Sequence, residues 1–298
     1  MKVAVTGSSG LIGTALVAAL RADGHRVIRL VRSGPAGQDA VIWDPRAERG
    51  GLDPGSLDGV TAVVHLAGAG VAGKRWTPGY QAEIRDSRVQ GTRALVRALA
   101  AMAAPPGVLL SGSAIGWYGD TGGREVTESE PAGQGFLPEV VRAWEAAAGE
   151  AADAGIRVVT LRSGVVLSPR GGILGRLLPL FRLGLGGRIG SGRQVMSWIG
   201  LSEWVAAGRF LLGRDGVTGP VNLTTPNPVS NAEFTSALAA AVHRPAVMLV
   251  PVPALKLAVG GVSSDILSSA RVMPQRLLAE GYRFQHPGIA GALAAELG

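Results

Sequence analysis

Two rhythms alternate along the chain. Short runs of aliphatic and β-branched residues, at 2–5, 26–31, 40–43, 62–68, 108–110, 157–161 and 221–223, read as strands. Between them lie stretches whose apolar residues recur three and four apart, at 14–20, 78–102, 138–154, 202–212 and 231–243, and these read as helices. Ser202 is placed as the N-cap of its helix, with Glu203 in the acid-favouring first turn. The strand runs at 62–68 and 108–110 are apolar on both faces, which suits a parallel sheet covered by helices on each side. The pattern therefore predicts an α/β fold with a doubly wound parallel sheet. The rhythm loosens after Arg162: residues 171–192 are dense in glycine, leucine and arginine, and 188–194 reads as a loop between short strands.

The first strand runs directly into Thr6-Gly7-Ser8-Ser9-Gly10-Leu11-Ile12-Gly13 and then into a helix. Strand, tight turn and helix with glycines three apart form the geometry of a pyrophosphate cradle. Gly7 permits the turn, Gly10 lets backbone N–H groups approach the phosphates, and Gly13 lets helix and strand pack closely. The phosphate sits at the positive end of the helix. Thr6, Gly7, Ser9, Gly10, Leu11, Ile12 and Gly13 are assigned to the cradle. About 20 residues beyond the glycines, where an NAD-preferring site places Asp or Glu, stands Arg32; an arginine there accommodates a 2′-phosphate. NADP is the expected cofactor and NAD the other candidate, the alternative for Arg32 being a solvent-facing strand end.

Composition narrows the chemistry. The 298 residues include no cysteine, so disulfides, thiolate nucleophiles and cysteine metal sites are excluded. The four histidines, at 25, 65, 243 and 286, never stand at metal-ligand spacing, and no metal is expected. The net charge of +7 rests on arginine, since lysine occurs only at 2, 74 and 256. The arginines are spread along the chain without a run or a tail, which argues against a nucleic-acid partner. No apolar run reaches the roughly 18 residues of a membrane span, and the opening does not read as a signal peptide. The expectation is a cytoplasmic protein with no membrane partner, whose excess charge in part serves an anionic ligand.

Candidate chemistry gathers at the C-terminal ends of the strands, where open α/β sheets bind ligands. Leu66-Ala67-Gly68 ends a buried strand in small residues and forms a cofactor wall, and His65 inside that run reads as a buried, hydrogen-bonded histidine. Lys74-Arg75-Trp76 lies on the following loop, as a solvated segment or a substrate contact. Ser111 to Asp120 brings Ser113 and Tyr118 onto one glycine-broken loop. A serine hydroxyl can hydrogen-bond a substrate oxygen, and a tyrosine can exchange a proton with it if its pKa is lowered. Tyr118 is accordingly an acid/base candidate or a structural aromatic. A cation would have to stabilise its phenolate, with Lys74, Arg75 and Arg162 available; Arg162 is also counted among the cofactor residues. Arg188 and Arg193 are substrate-facing or solvated loop arginines, suited to a small anion.

Together these segments resemble the short-chain dehydrogenase/reductase superfamily in its longer, epimerase-like form, and more closely its atypical branch of epimerase-family, NAD-dependent epimerase/dehydratase-like proteins with an extra C-terminal domain. The resemblance is carried by Thr6-Gly7-x-x-Gly10-x-x-Gly13, Leu66-Ala67-Gly68, Lys74-Arg75-Trp76, Ser111-Gly112-Ser113-Ala114 with Tyr118-Gly119-Asp120, Leu161-Arg162-x-Gly164-Val165-Val166-Leu167 and Gly190-Ser191-Gly192-Arg193-Gln194. It implies a Rossmann-type sheet over residues 1–165, with 195–225 returning to it, and a smaller, mainly substrate-binding C-terminal region over 166–298. It also implies NADP or NAD, a nucleotide-sugar or other small substrate, and a homodimer built through the two long helices. In that superfamily a serine polarises the substrate oxygen, and a tyrosine acts as acid/base with a lysine four residues later. Ser113 matches the serine. No Tyr-x-x-x-Lys exists: the residues four beyond Tyr80, Tyr118 and Tyr282 are Ile84, Gly122 and His286. In the helix where the pair belongs, counting back from Glu145 gives Val141 and Leu137. The expectation is an NADP-dependent oxidoreductase or nucleotide-sugar epimerase-like enzyme without the usual pair, or else an NADP(H)-binding sensor or partner-binding protein with impaired catalysis.

Overall fold

The computed structural model describes residues 1–34, 37–47, 51–71, 73–253, 261 and 267–298. Its centre is one parallel sheet in which every neighbouring pair runs in the same direction. The strands are β1 (Lys2–Thr6), β2 (Arg26–Val31), β3 (Ala40–Ile42), β4 (Ala62–His65), β5 (Val108–Ala114), β7 (Arg157–Ser163) and β12 (Gly219–Leu223), in the order β12-β7-β5-β4-β1-β2-β3. The strand order reverses between β1 and β4, and that switch point opens the crevice in which such sheets bind ligands.

Side chains alternate across each strand, so the two faces bury different sets. Val3, Val5, Val64 and Leu110 pack toward α1 (Leu11–Ala22) and α5 (Leu201–Leu212). Ala4, Val63 and Leu109 pack toward α2 (Pro78–Ala100), with α3 (Phe136–Gly149) beside it. Burial on both faces is why these strands read as unbroken apolar runs. α5 and β12 lie late in the chain and return to this sheet.

The remaining elements form short pairs around a third cluster centred on Trp198, Phe234 and Leu293. β8 (Val165–Leu167) runs parallel to β11 (Trp198–Gly200), and β10 (Val195–Met196) pairs with β13 (Val229–Ser230). β9 (Gly187–Ile189) pairs with β14 (Met248–Val250), and β6 (Glu125–Val126) with β15 (Arg271–Val272). Around these lie α4 (Gly172–Arg182), α6 (Asn231–Ala241), α7 (Gln275–Ala279) and α8 (Ile289–Leu297).

Three local readings are corrected. The glycine-dense stretch contains α4, whose Leu174, Leu178 and Phe181 are buried along one helical face despite Pro179 within it. Gly200, not Ser202, occupies the N-cap of α5. Ser202 lies one residue inside, with its N–H and hydroxyl both donated to the Glu296 carboxylate at 2.8 Å. Strands β5 and β7 run four and two residues further than their apolar cores, because Ser111 to Ala114 and Arg162 to Ser163 continue the pairing. Ser113 therefore stands on a strand, directly opposite Arg162.

Glu203 caps the C-terminal segment rather than its own helix alone. Its buried carboxylate accepts the Tyr282 hydroxyl at 2.5 Å and the backbone N–H groups of Gln285 and His286 at 2.9 and 3.0 Å. Burial beside that carboxylate pushes the Tyr282 phenol up, so it stays a donor.

Candidate functional site

The glycine turn is held by its neighbours. Gly7 sits at φ +64°, and a Cβ there would lie 2.7 Å from the carbonyl of Leu66. A Cβ on Gly13 would lie 2.2 Å from the Gly7 oxygen, so helix and turn approach as closely as the sequence requires. At Gly10 only the Gly7 oxygen comes near, at 3.2 Å. α1 begins there with no side-chain cap and no acid in its first turn, leaving its N–H groups and positive end for an anion. Ser9 and Gly10 are exposed, Leu11 and Ile12 half-buried. Leu66 and Ala67 are half-buried and Gly68 exposed at the neighbouring strand end.

Thr6 is corrected from cofactor contact to scaffold. It is fully buried, and its hydroxyl accepts the N–H groups of Leu66 and Ala67 at 3.0 and 3.2 Å. With its lone pairs so used, its single proton goes to His65 Nδ1 at 2.7 Å. That fixes His65 as the neutral tautomer that donates from Nε2 to Thr92 at 3.0 Å, and burial lowers its pKa to about 4. His65 is the buried, hydrogen-bonded histidine expected, and this relay ties the ends of β1 and β4 together beneath the cradle. Arg32 stands exposed just past β2.

The end of β5 carries the polar centre of the molecule. Ser113 Oγ donates to Glu145 Oε1 at 2.5 Å. Arg162 grips the same carboxylate with Nε on Oε1 at 2.8 Å and Nη2 on Oε2 at 2.9 Å. The Arg162 side chain is 3% exposed and that of Glu145 11%, so this is a buried, bidentate ion pair. Arg162 also stacks over Trp117 at 3.9 Å and donates from Nη1 to the Tyr118 oxygen at 3.1 Å and the Glu128 carbonyl at 3.4 Å. Its donors are spent inside the protein, which corrects its placement among cofactor contacts.

Tyr118 follows a single 3₁₀ turn, Ile115–Trp117, and is 5% exposed. Its hydroxyl donates to Asn222 Oδ1 at 2.7 Å. Burial pushes its pKa up to about 12, the pull of Arg162 opposing this only in part. Among the candidate cations the structure brings Arg162 to the phenol, but Arg162 is already paired with Glu145. An acid/base tyrosine needs its pKa lowered, and here it is raised. Asn222 passes the network onward, donating Nδ2 to the Met273 carbonyl at 2.9 Å and its N–H to Glu128 at 2.9 Å. Glu128 also accepts the Arg276 N–H at 3.2 Å, joining the site to the C-terminal segment.

Lys74, Arg75 and Trp76 occupy the loop after β4, and none hydrogen-bonds to Ser113, Glu145 or Arg162. Trp76 props the loop, donating to the Val71 carbonyl at 2.8 Å and packing edge-on to Phe136 at 5.1 Å. The Lys74 ammonium lies over Tyr80 at 5.4 Å, and Arg75 is exposed. Arg188 is exposed on β9 and Arg193 on the turn that follows it, Arg188 donating to the Ser191 carbonyl at 3.3 Å. Sequence reasoning missed Arg88. It donates to the carbonyls of Ala69 and Ile84 at 2.9 and 3.1 Å, lies 5.0 Å over the Trp144 ring and flanks Gly68. It missed Glu145 as a site residue too, although Val141, Trp144 and Ala148 mark the buried face of α3 and Glu145 falls on that face.

Comparison with known proteins agrees with this architecture. The model of the NAD dependent epimerase/dehydratase family matches residues 3–223, and that of a domain of unknown function, DUF1731, matches 250–296. The epimerase family protein Mb2239 of Mycobacterium bovis is 46% identical over 292 residues, 98% of this chain and 96% of its own. The crystal structure of human epimerase family protein SDR39U1 (isoform 2) with NADPH superposes with a TM-score of 0.90 at 34% identity, covering 99% and 98% of the two chains. A nucleoside-diphosphate sugar epimerase from Corynebacterium glutamicum gives 0.83 at 37% identity, over all of this chain and 58% of that longer one.

Proposed function

The chain belongs to the NAD dependent epimerase/dehydratase family, and from that premise we propose that it binds NADP(H) and acts as an oxidoreductase or nucleotide-sugar epimerase-like enzyme, in which Ser113, Glu145 and Arg162 do the work that a serine, a tyrosine and a lysine do in the superfamily. The observation that carries the reading is the 2.5 Å bond from Ser113 to a carboxylate locked by Arg162, at a strand end two strands from the glycine cradle. The uncapped N-terminus of α1, the room at Gly10 and the exposed guanidinium of Arg32 fit a dinucleotide with a 2′-phosphate. The NADPH in the human relative and the sugar-nucleotide name of the bacterial one support the same cofactor and substrate class.

NADP(H), when bound, supplies or accepts a hydride. The side chains manage the proton. Ser113 has given its hydrogen to Glu145, so toward a substrate it is an acceptor and takes the hydrogen of a substrate hydroxyl. A proton leaving that hydroxyl passes through Ser113 Oγ to Glu145 Oε1, and returns by the same path when a carbonyl is reduced. Arg162 holds the carboxylate in place through two bonds.

The test is NADPH turnover over a panel of carbonyl compounds and nucleoside-diphosphate sugars, with NADPH affinity measured in parallel. Ser113→Ala and Glu145→Gln are expected to lose about a hundredfold in rate while holding NADPH. The second reading is a sensor or partner-binding protein with impaired catalysis, favoured by the buried, high-pKa Tyr118. Tight NADPH binding with no hydride loss across the whole panel would establish it instead.

A further inference from the structure

We propose that the smaller region carries a docking face for anionic lipid surfaces, formed by the end of α4 and the β9–β14 pair. Nine large hydrophobic side chains are exposed among the described residues, and six of them lie here: Leu180, Leu183, Leu185, Val247, Met248 and Leu249. Leu183 is 72% and Val247 81% exposed, so they project from the surface instead of lining a groove. Singly exposed apolar residues are ordinary, whereas a gathered set marks an interaction site.

The fold does the gathering. β14 pairs with β9 so that Met248 stands opposite Gly187 and Leu249 opposite Arg188. Gly186 and Gly187 let the strands and α4 close without intervening side chains: a Cβ on Gly186 would meet the Phe181 ring at 2.6 Å, and one on Gly187 the Met248 carbonyl at 2.2 Å.

Charge selects the occupant. Exposed Arg182 stands between Leu180 and Leu183, exposed Arg188 is in register with Leu249, and exposed Arg244 precedes Val247 by three residues. None of the three forms an ion pair among the described residues. The sequence has no Asp or Glu between Asp153 and Glu203, nor between Glu233 and Asp265, so these segments supply no counter-charge of their own. A second copy would set like charges against each other. At an anionic bilayer the leucines enter the acyl–headgroup boundary while the guanidiniums meet lipid phosphates, each side chain finding the environment it lacks. No described helix is long and apolar enough to cross a membrane, and a surface contact requires none. The inference is independent of the proposed chemistry.

The experiment is vesicle co-sedimentation of the full chain, using phosphatidylcholine alone and phosphatidylcholine with phosphatidylglycerol, against a Leu183→Glu/Leu249→Glu variant. NADPH affinity and thermal unfolding report on its fold. The wild type is expected to bind the phosphatidylglycerol vesicles in preference, and the variant to bind them at least about tenfold more weakly with its NADPH affinity unchanged. Absence of wild-type binding overturns the proposal. So does equal binding by the variant, which would reduce the effect to overall positive charge. Lipid-free self-association that the variant abolishes would give the face to a second copy and overturn it as well.

Discussion

Acidification should weaken this protein through one buried imidazole. His65 is fully buried between Thr6 and Thr92, and burial lowers its pKa from 6.5 to about 4. Between about pH 7.5 and pH 5 the unfolded chain takes up a proton at this position and the folded chain does not, so stability falls as pH falls. Integrated over that window, the shift from 6.5 to about 4 costs about 2 kcal/mol at pH 5 and about 3 kcal/mol near pH 4. Once protonated, Nδ1 becomes a donor facing the Thr6 hydroxyl, whose lone pairs already serve Leu66 and Ala67. The tie beneath the glycine cradle then opens, and NADPH affinity should decline over the same range. The assay is urea unfolding of the wild type and of His65→Asn at about pH 7.5 and pH 5. Asparagine keeps an acceptor toward Thr6 but cannot titrate. The wild type is expected to lose about 2 kcal/mol more than the variant across the window. Equal losses would refute the linkage and assign the acid sensitivity to other groups.

Four substitutions probe the rest of the site. Gly13→Ala places a Cβ 2.2 Å from the Gly7 oxygen, so NADPH affinity measured by fluorescence titration should fall more than about tenfold, with about 1–3 kcal/mol of stability lost. Arg32→Ala should weaken NADPH about tenfold or more and leave NADH unchanged, because only the 2′-phosphate loses a charge-assisted partner. Arg162→Met strands the Glu145 carboxylate and should cost about 3–5 kcal/mol in denaturant unfolding, part of which Glu145→Leu in the same chain restores. Tyr118→Phe removes the hydroxyl between Asn222 and Arg162 and should cost about 1–3 kcal/mol while NADPH affinity holds. Turnover abolished at unchanged stability would instead return Tyr118 to the acid/base role.

The sheet was legible because its strands are buried on both faces, so Val3 to Val5, Ala62 to Val64 and Val108 to Leu110 carry no polar interruption, and because the glycine spacing has few geometric uses. Legibility failed where local composition and tertiary environment disagree. α4 hides among glycines although Leu174, Leu178 and Phe181 keep helical spacing. The cap of α5 was misplaced by two residues because Ser202 answers to Glu296, 94 residues away. Thr6 and Arg162 sit beside cofactor motifs in sequence, yet their polar atoms are consumed by the scaffold, which only a hydrogen-bond inventory of the folded chain can show.

Glu145 was hidden for a different reason. Its partners lie on β5, 32 residues earlier, and on β7, 17 residues later, and only the pairing of Ser113 with Arg162 sets both beneath α3. A lone carboxylate on the buried face of a helix was the available signal, since burying one without a partner is prohibitive. Its presence changes how the missing Tyr-x-x-x-Lys is understood. The superfamily's lysine serves as the cation that lowers its tyrosine's pKa. Here α3 contributes an anion in that region and β7 contributes the cation, so the pair beside Ser113 is neutral overall, and the pull of Arg162 on the Tyr118 phenol offsets its burial only in part. A tyrosine at Val141 would have nothing to lower its pKa, and a lysine at Glu145 would face Arg162 as a like charge. Loss of the tyrosine and loss of the lysine are therefore one physical change under the proposed chemistry: where a cation-assisted phenol is absent, a guanidinium-held carboxylate bonds Ser113.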